Sequence, residues 1–231
     1  MVTLESQTAP APQTTGTYNR ILDVAEALFA QHGVNGTSIR NITDQADVNI
    51  AAVNYHFVSK EKLVHEVVRR RFQSLEQERS EALDEIEERC RAQNRNPTPA
   101  ELAAVLISPT FRRIRSGDPG WINFIRFVAR LTWEPGAEKF SPPSTSLGIF
   151  DRFDKLLQKT VPALAADAGR RSWRLQFMRA ASQQTLLAMT MLQTGKVPNA
   201  VAFSDALSSL SPDEIERELI AFVAAGISVP I

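Results

Sequence analysis

Apolar residues recur at helical rather than alternating spacing along almost the whole chain, so the pattern predicts an all-α protein. The first clear stripe is Ile21, Leu22, Ala25, Leu28 and Phe29, closed by His32-Gly33, where glycine marks a helix stop. Ile39, Ile42 and Ala46 form a shorter stripe over 38–46, with small Thr43 where a second helix must cross closely. Thr37 or Ser38 can cap that helix. Asp47-Val48-Asn49 reads as a tight turn, with Asp47 at a left-handed backbone position that Asp tolerates better than most residues. A second short helix follows over 50–55. Val48 and Val53 pin it to the first, which leaves Asn49, Ala51, Ala52, Asn54 and Tyr55 on its open face.

Beyond this region the pattern stays helical. Ser59 caps a long fourth helix that runs to about Gln93 and is highly charged in its far half. Thr98-Pro99 opens a fifth helix with Glu101 in its first turn, and Pro109 is expected to bend or split it. Loops at 117–120, 134–136 and 141–143 separate a helix over 121–131 from others near 145–161, 169–194 and 211–225. The helix near 170–194 carries two stripes. One is Trp173, Phe177, Ala180, Gln184, Leu187 and Met191; the other is Leu175, Met178, Ser182, Thr185, Met189 and Leu192. A single small core cannot easily cover both, so one stripe is expected to meet a second subunit. The closing helix offers Ile215, Leu219, Phe222 and Gly226 at heptad-like steps.

The two short helices are followed by His56-Phe57 and by Ser59-Lys60-Glu61-Lys62-Leu63. The ordered set from Thr17 to Leu63 resembles the helix-turn-helix of the TetR family of transcription regulators, at family spacing throughout. The wording VNIAAVNYHF, and less specifically LIAFVAAGI, resembles the PsrA-like branch, which is associated with fatty-acid metabolism. Asp47 stands where the family usually has glycine, Thr43 where it usually has alanine, and Asn54 where many members have tyrosine. The resemblance implies a three-helix DNA-binding domain over 17–63 and a larger helical ligand-binding and dimerisation domain over 64–231. It further implies a homodimeric, ligand-responsive repressor that releases operator DNA on binding a small apolar effector, with a fatty acid or acyl-CoA as the leading candidate. Alternatives are a regulator sensing a different small molecule and an architectural DNA-binding protein without a ligand. Ser38, Arg40, Tyr55, His56 and Lys60, at helix ends and the junction, are expected to meet phosphates. Asn49, Ala51, Ala52 and Asn54 are expected to face base edges. By the same resemblance the last two long helices form the dimer interface, through Gln184, Leu187, Met191, Ile215, Leu219 and Phe222.

Composition adjusts this reading only slightly. Net charge is zero over 231 residues, and 17–73 holds seven basic against six acidic side chains, so DNA affinity must come from a few placed contacts and from dimerisation. The single cysteine, Cys90, excludes an intramolecular disulfide and fits a reducing cytoplasm. Residues 1–16 are polar, contain prolines and lack Lys and Arg, which reads as a disordered leader rather than a signal peptide. No apolar run is long enough for a membrane span. No metal-spaced cluster, nucleotide-binding loop or nucleophile elbow occurs, so no catalytic residue, metal or cofactor is assigned. In the C-terminal region, the helix over 121–131 is apolar nearly all round. Phe111, Trp121, Phe124, Ile125, Val128, Phe150, Phe153, Phe177 and Met178 are candidate ligand-lining residues. Arg126 and Arg130, four apart, are candidates for holding an anionic head.

Overall fold

The structure, a computed structural model, describes residues 12–140, 147–193 and 209–228. It is all-α, and no strand occurs among the described residues. Helix α1 spans Pro12–His32, α2 Ile39–Ala46, α3 Ile50–His56 and α4 Lys60–Ala92. Then come α5 (Pro99–Arg115), α6 (Pro119–Leu131), α7 (Leu147–Thr160), α8 (Ala168–Gln193) and α9 (Pro212–Ser228). Residues 12–16, expected in the leader, belong to α1; residues 1–11 and the loop expected at 141–143 lie outside the described residues.

Local chemistry accounts for the boundaries. Ser38 Oγ accepts the Asn41 N–H at 3.1 Å, which caps α2. Asp47 ends α2 with φ 50° and ψ 54°, the left-handed conformation expected of the turn. Ser59 caps α4 by accepting the Lys62 N–H at 3.2 Å. Thr98 and Glu101 form a reciprocal capping box at the start of α5. Pro109 lies inside α5 without splitting it, which leaves a bend as the other expected outcome. The proline is buried on the inner face, where Leu102, Ala103, Val105, Ile107, Phe111 and Ile114 also pack. Burial of that face outweighs the one backbone hydrogen bond a proline removes.

Two layers of packing place the N-terminal helices. The first core joins Ile21, Leu22, Ala25 and Phe29 of α1 to Ile42, Ala46, Val53 and Phe57, and to Leu63, Val64, Val67 and Val68 of α4. The first turns of α4 are therefore part of the module's core, across the boundary drawn at residue 63. The second layer lays α1 along α6, with Phe29 against Phe127 at 5.4 Å between ring centroids. In the C-terminal domain α5 packs against α9, tied by Arg115 to Asp213 and Glu216.

The start of α5 is pH-sensitive. The Arg95 guanidinium donates to both oxygens of Glu101 at 2.8 Å and, with the Thr98 backbone and hydroxyl, holds that carboxyl at about 2. Because the folded value lies below the free value, the stabilisation is fully present above about pH 4.5 and lost as pH falls through about 2. Glu101→Gln should flatten the acid limb of a thermal-denaturation profile in that window while leaving its neutral limb with only the loss of one exposed cap.

Candidate nucleic-acid interface and its coupling to the C-terminal domain

Helix α3 presents its side chains as a reading helix must. Val53 is fully buried against α2, whereas Ala51, Asn54 and Tyr55 are exposed and Ala52 is half-buried. Tyr55 is 78% exposed, too open for a core aromatic. Asn49 is the N-cap of α3, its Oδ1 accepting the Ala52 N–H at 2.8 Å. Its amide donors remain free of the cap and can face DNA. Ser38 is likewise engaged as a cap. Arg40 is open, beside Asp44 at 3.9 Å, and Lys60 is half-buried in the first turn of α4. His56 is half-buried at the junction, edge-on to Tyr18 (5.6 Å) and to Tyr55 (5.1 Å). Tyr18 in turn stacks on Phe57 at 4.9 Å and donates its hydroxyl to Glu66 Oε2 at 2.9 Å. Burial and the Glu66 carboxylate raise the Tyr18 pKa, so the hydroxyl keeps its proton and stays a donor.

Ile50 belongs to the same open surface and was not among the sequence candidates. It is 58% exposed in the first turn of α3, where an apolar side chain can meet a thymine methyl. Its signal in the sequence was an isoleucine outside every buried stripe.

Three contacts fasten this head to α6. At the N-terminal end of α6, Glu26 of α1 is 1% exposed and accepts from Arg71 at 2.6 and 2.8 Å and from Arg70 at 3.3 Å. Arg71 also covers the Trp121 ring at 4.9 Å, and it lies so close to Gly120 that a β-carbon there would strike its guanidinium. Phe29 and Phe127 meet along the middle. Past the C-terminal end of α6, the Val34 N–H donates to both Glu134 carboxylate oxygens (2.9 and 3.1 Å), and Arg130 donates to the Gln31 carbonyl at 2.9 Å. Gly33 makes this possible: its φ is +75°, and a β-carbon would collide with Glu134.

The ligand candidates divide. Phe111, Trp121, Phe124, Ile125, Phe153 and Met178 are buried together in the C-terminal core, and Val128 packs against it. Phe150 and Phe177 stand apart from them, being 39% and 61% exposed. Phe177 lies on the outer stripe of α8 beside Trp173, at 5.7 Å between rings, because the helix turns its Met178–Leu186–Met189 face inward. Arg126 donates to the Thr190 carbonyl at 3.2 Å and Arg130 to that of Gln31, so the pair splints helices to each other. Two open clefts, of about 540 and 520 Å³, lie between α1 and α2 and at the Glu26–Arg71–Asp118 junction, away from the buried aromatics. Of the dimer candidates, Gln184 and Phe222 are exposed, Leu187, Met191 and Ile215 half-buried, and Leu219 buried within the protomer. Leu219 faces inward with Val223 and Ile227.

Comparison with known proteins agrees with this geometry. Residues 21–67 match the family described as "Bacterial regulatory proteins, tetR family" and residues 104–226 match the "Tetracyclin repressor-like, C-terminal domain". The chain belongs to the TetR family. The HTH-type transcriptional repressor KstR2 of Rhodococcus jostii is 40% identical over 63 residues, 26% of this chain and 31% of that protein. KstR2 of Mycobacterium tuberculosis is 36% identical over 59 residues, 26% of this chain and 30% of its own. The matches thus span under a third of these relatives' lengths. Among solved structures, the ketosteroid transcriptional regulator KstR2 of M. tuberculosis shares the fold with a TM-score of 0.55 at 18% identity, covering 92% and 95% of the two chains. FadR of Bacillus subtilis, solved in complex with stearoyl-CoA, does so with a TM-score of 0.51 at 17% identity, covering 90% and 98%.

The interface yields a divided prediction. Lys60→Ala should weaken binding to all DNA sequences alike and flatten the salt dependence by roughly one unit. Asn54→Ala should relax preference at one base position, by about 1–3 kcal/mol for a bidentate contact. Binding-site selection with both variants checks this; a changed preferred sequence for Lys60→Ala alone would reverse the assignment.

Proposed function

We propose that the protein is a homodimeric, ligand-responsive repressor of transcription, whose domains divide near residue 63. The observation that carries this reading is the head itself: an open α3 face, pinned from behind by Val53 and fastened through α1 to α6 of the C-terminal domain. A head so attached cannot move without α6, so a ligand that shifts α6 changes the spacing of two heads. Two heads need a dimer, and the exposed aromatic stripe supports one. Trp173, Phe177 and Phe222 are 63%, 61% and 69% exposed on the last two long helices, where a lone protomer would leave them in water. Heads about 34–36 Å apart then match successive turns of the duplex.

The effector in this reading is an acyl compound. Its support is the PsrA-like wording of the reading head, the apolar α6, and the fold shared with a FadR that was solved with stearoyl-CoA. Ligand and DNA must weaken each other's binding by one common factor.

Sedimentation and operator titration test the two parts separately. Wild type should sediment as a dimer at micromolar concentration, and Phe222→Glu should shift it toward monomer and lose operator affinity with it; a monomeric wild type would contradict the reading. Fatty acids from eight to eighteen carbons should release the operator with affinity rising about fourfold per methylene up to a limiting chain length. A flat response across the series removes the acyl effector and leaves the DNA-binding reading standing.

A further inference from the structure

From Leu75 onward the buried stripe of α4 is apolar except at one place. Leu75, Leu83, Ile86 and Cys90 are buried, and Arg79 stands on that stripe one turn from both Leu75 and Leu83. Its side chain crosses to α5, where a terminal nitrogen donates to the Leu106 carbonyl at 3.1 Å and approaches Thr110 Oγ1 at 3.5 Å. Thr110 is itself buried, next to Pro109, whose missing N–H leaves the carbonyl of Val105 without its helical donor. Arg79 Nε is closed off from solvent and has no hydrogen-bond partner. Among the described residues no carboxylate forms an ion pair with Arg79. Glu76, on the preceding turn, leaves its own Oε1 buried and unbonded rather than turning to the guanidinium. Burial pushes Arg79 down to about 10, which still leaves it charged at neutral pH.

A guanidinium without a contacting counter-charge is costly in such a place, and a leucine or methionine would fill the stripe without that cost. Packing therefore does not explain the residue.

We propose that Arg79, with the Thr110 hydroxyl beside it, receives the anionic head of the effector. This rests on the ligand-responsive reading above. An unpaired N–H of a planar cation and a neighbouring hydroxyl suit a carboxylate or phosphate oxygen. The position faces Pro109, where α5 lacks one backbone hydrogen bond, so occupancy acts on a weakened point of a helix that also packs against α6 and α9.

The test uses the full chain, calorimetry, and three probes of equal chain length: dodecanoate, dodecanoyl-CoA and dodecanol. Arg79→Met should melt at or above the wild-type temperature. It should lose about tenfold to a hundredfold in affinity for the anionic probe that wild type prefers, and stay within twofold for dodecanol. Selective loss of dodecanoate identifies a carboxylate head, and selective loss of the CoA ester a phosphate head; either result supports the site. Thr110→Val gives the same readout with a smaller, acid-selective loss should Arg79→Met fail to fold. Equal losses for acid and alcohol would make Arg79 a packing residue and overturn the proposal. So would unchanged acid affinity in Arg79→Met, above all if Arg126→Met loses it. Wild type that binds none of the probes defeats the acyl reading and this site with it, whereas binding indifferent to Arg79 and Thr110 defeats the site alone.

Discussion

The docking of α1 along α6 is the constraint on which the rest of the molecule depends. It is built from one buried acid, one aromatic pair and one carboxylate reaching past the helix end. Glu26 is enclosed and held by Arg71 in a two-pronged pair, with Arg70 in support. Such a pair adds little net stability over an apolar replacement, but removing one partner leaves a buried charge, at a cost of about 3–5 kcal/mol. The arrangement therefore specifies one docked geometry more than it strengthens folding. Glu134 does the same at the other end by capping the turn after α1, where Gly33 leaves room for it. Phe29 and Phe127 fill the space between. A helix fixed at both ends and packed in the middle moves as a body with its neighbour.

That rigidity gives the fold its functional sense. Helix α3 carries few buried side chains of its own, and its orientation is set by α2 and by the first turns of α4. In the proposed function the head is a passive reader whose placement is decided elsewhere. With α6 inserted between the head and the C-terminal core, any repacking of Trp121 or Phe124 acts on α1 through Arg71 and Phe127. The near-neutral charge of the head fits this arrangement, since affinity that depends on two correctly spaced contacts can be switched by geometry, whereas a strong general field could not.

How much of this was legible in the sequence follows the range of the interactions. Ser38, Asp47, Ser59 and the Thr98–Glu101 box act within a few residues, and their roles could be read directly from spacing. The helices and the inward face of α3 followed from apolar periodicity. What periodicity left open was the rotation of helices with apolar residues on more than one side: Phe177 and Phe150 turn outward and Leu219 inward. Periodicity names the stripes of α8 without saying which one a protomer covers. The partners of Arg126 and Arg130 are backbone carbonyls 64 and 99 residues away, and a carbonyl leaves no mark in a sequence. Glu26 and Arg79 were visible as charges on apolar stripes, but such a charge names no partner until the facing helix is known.

Native-state hydrogen exchange tests the rigid attachment most directly. The Val34 amide and the amides of α1 and α6 should exchange through one common opening, with the same free energy and the same denaturant dependence. Exchange of α1 to α3 at distinctly lower free energy than α6, with Val34 following the head, would show that the head opens alone and that α6 does not govern its position.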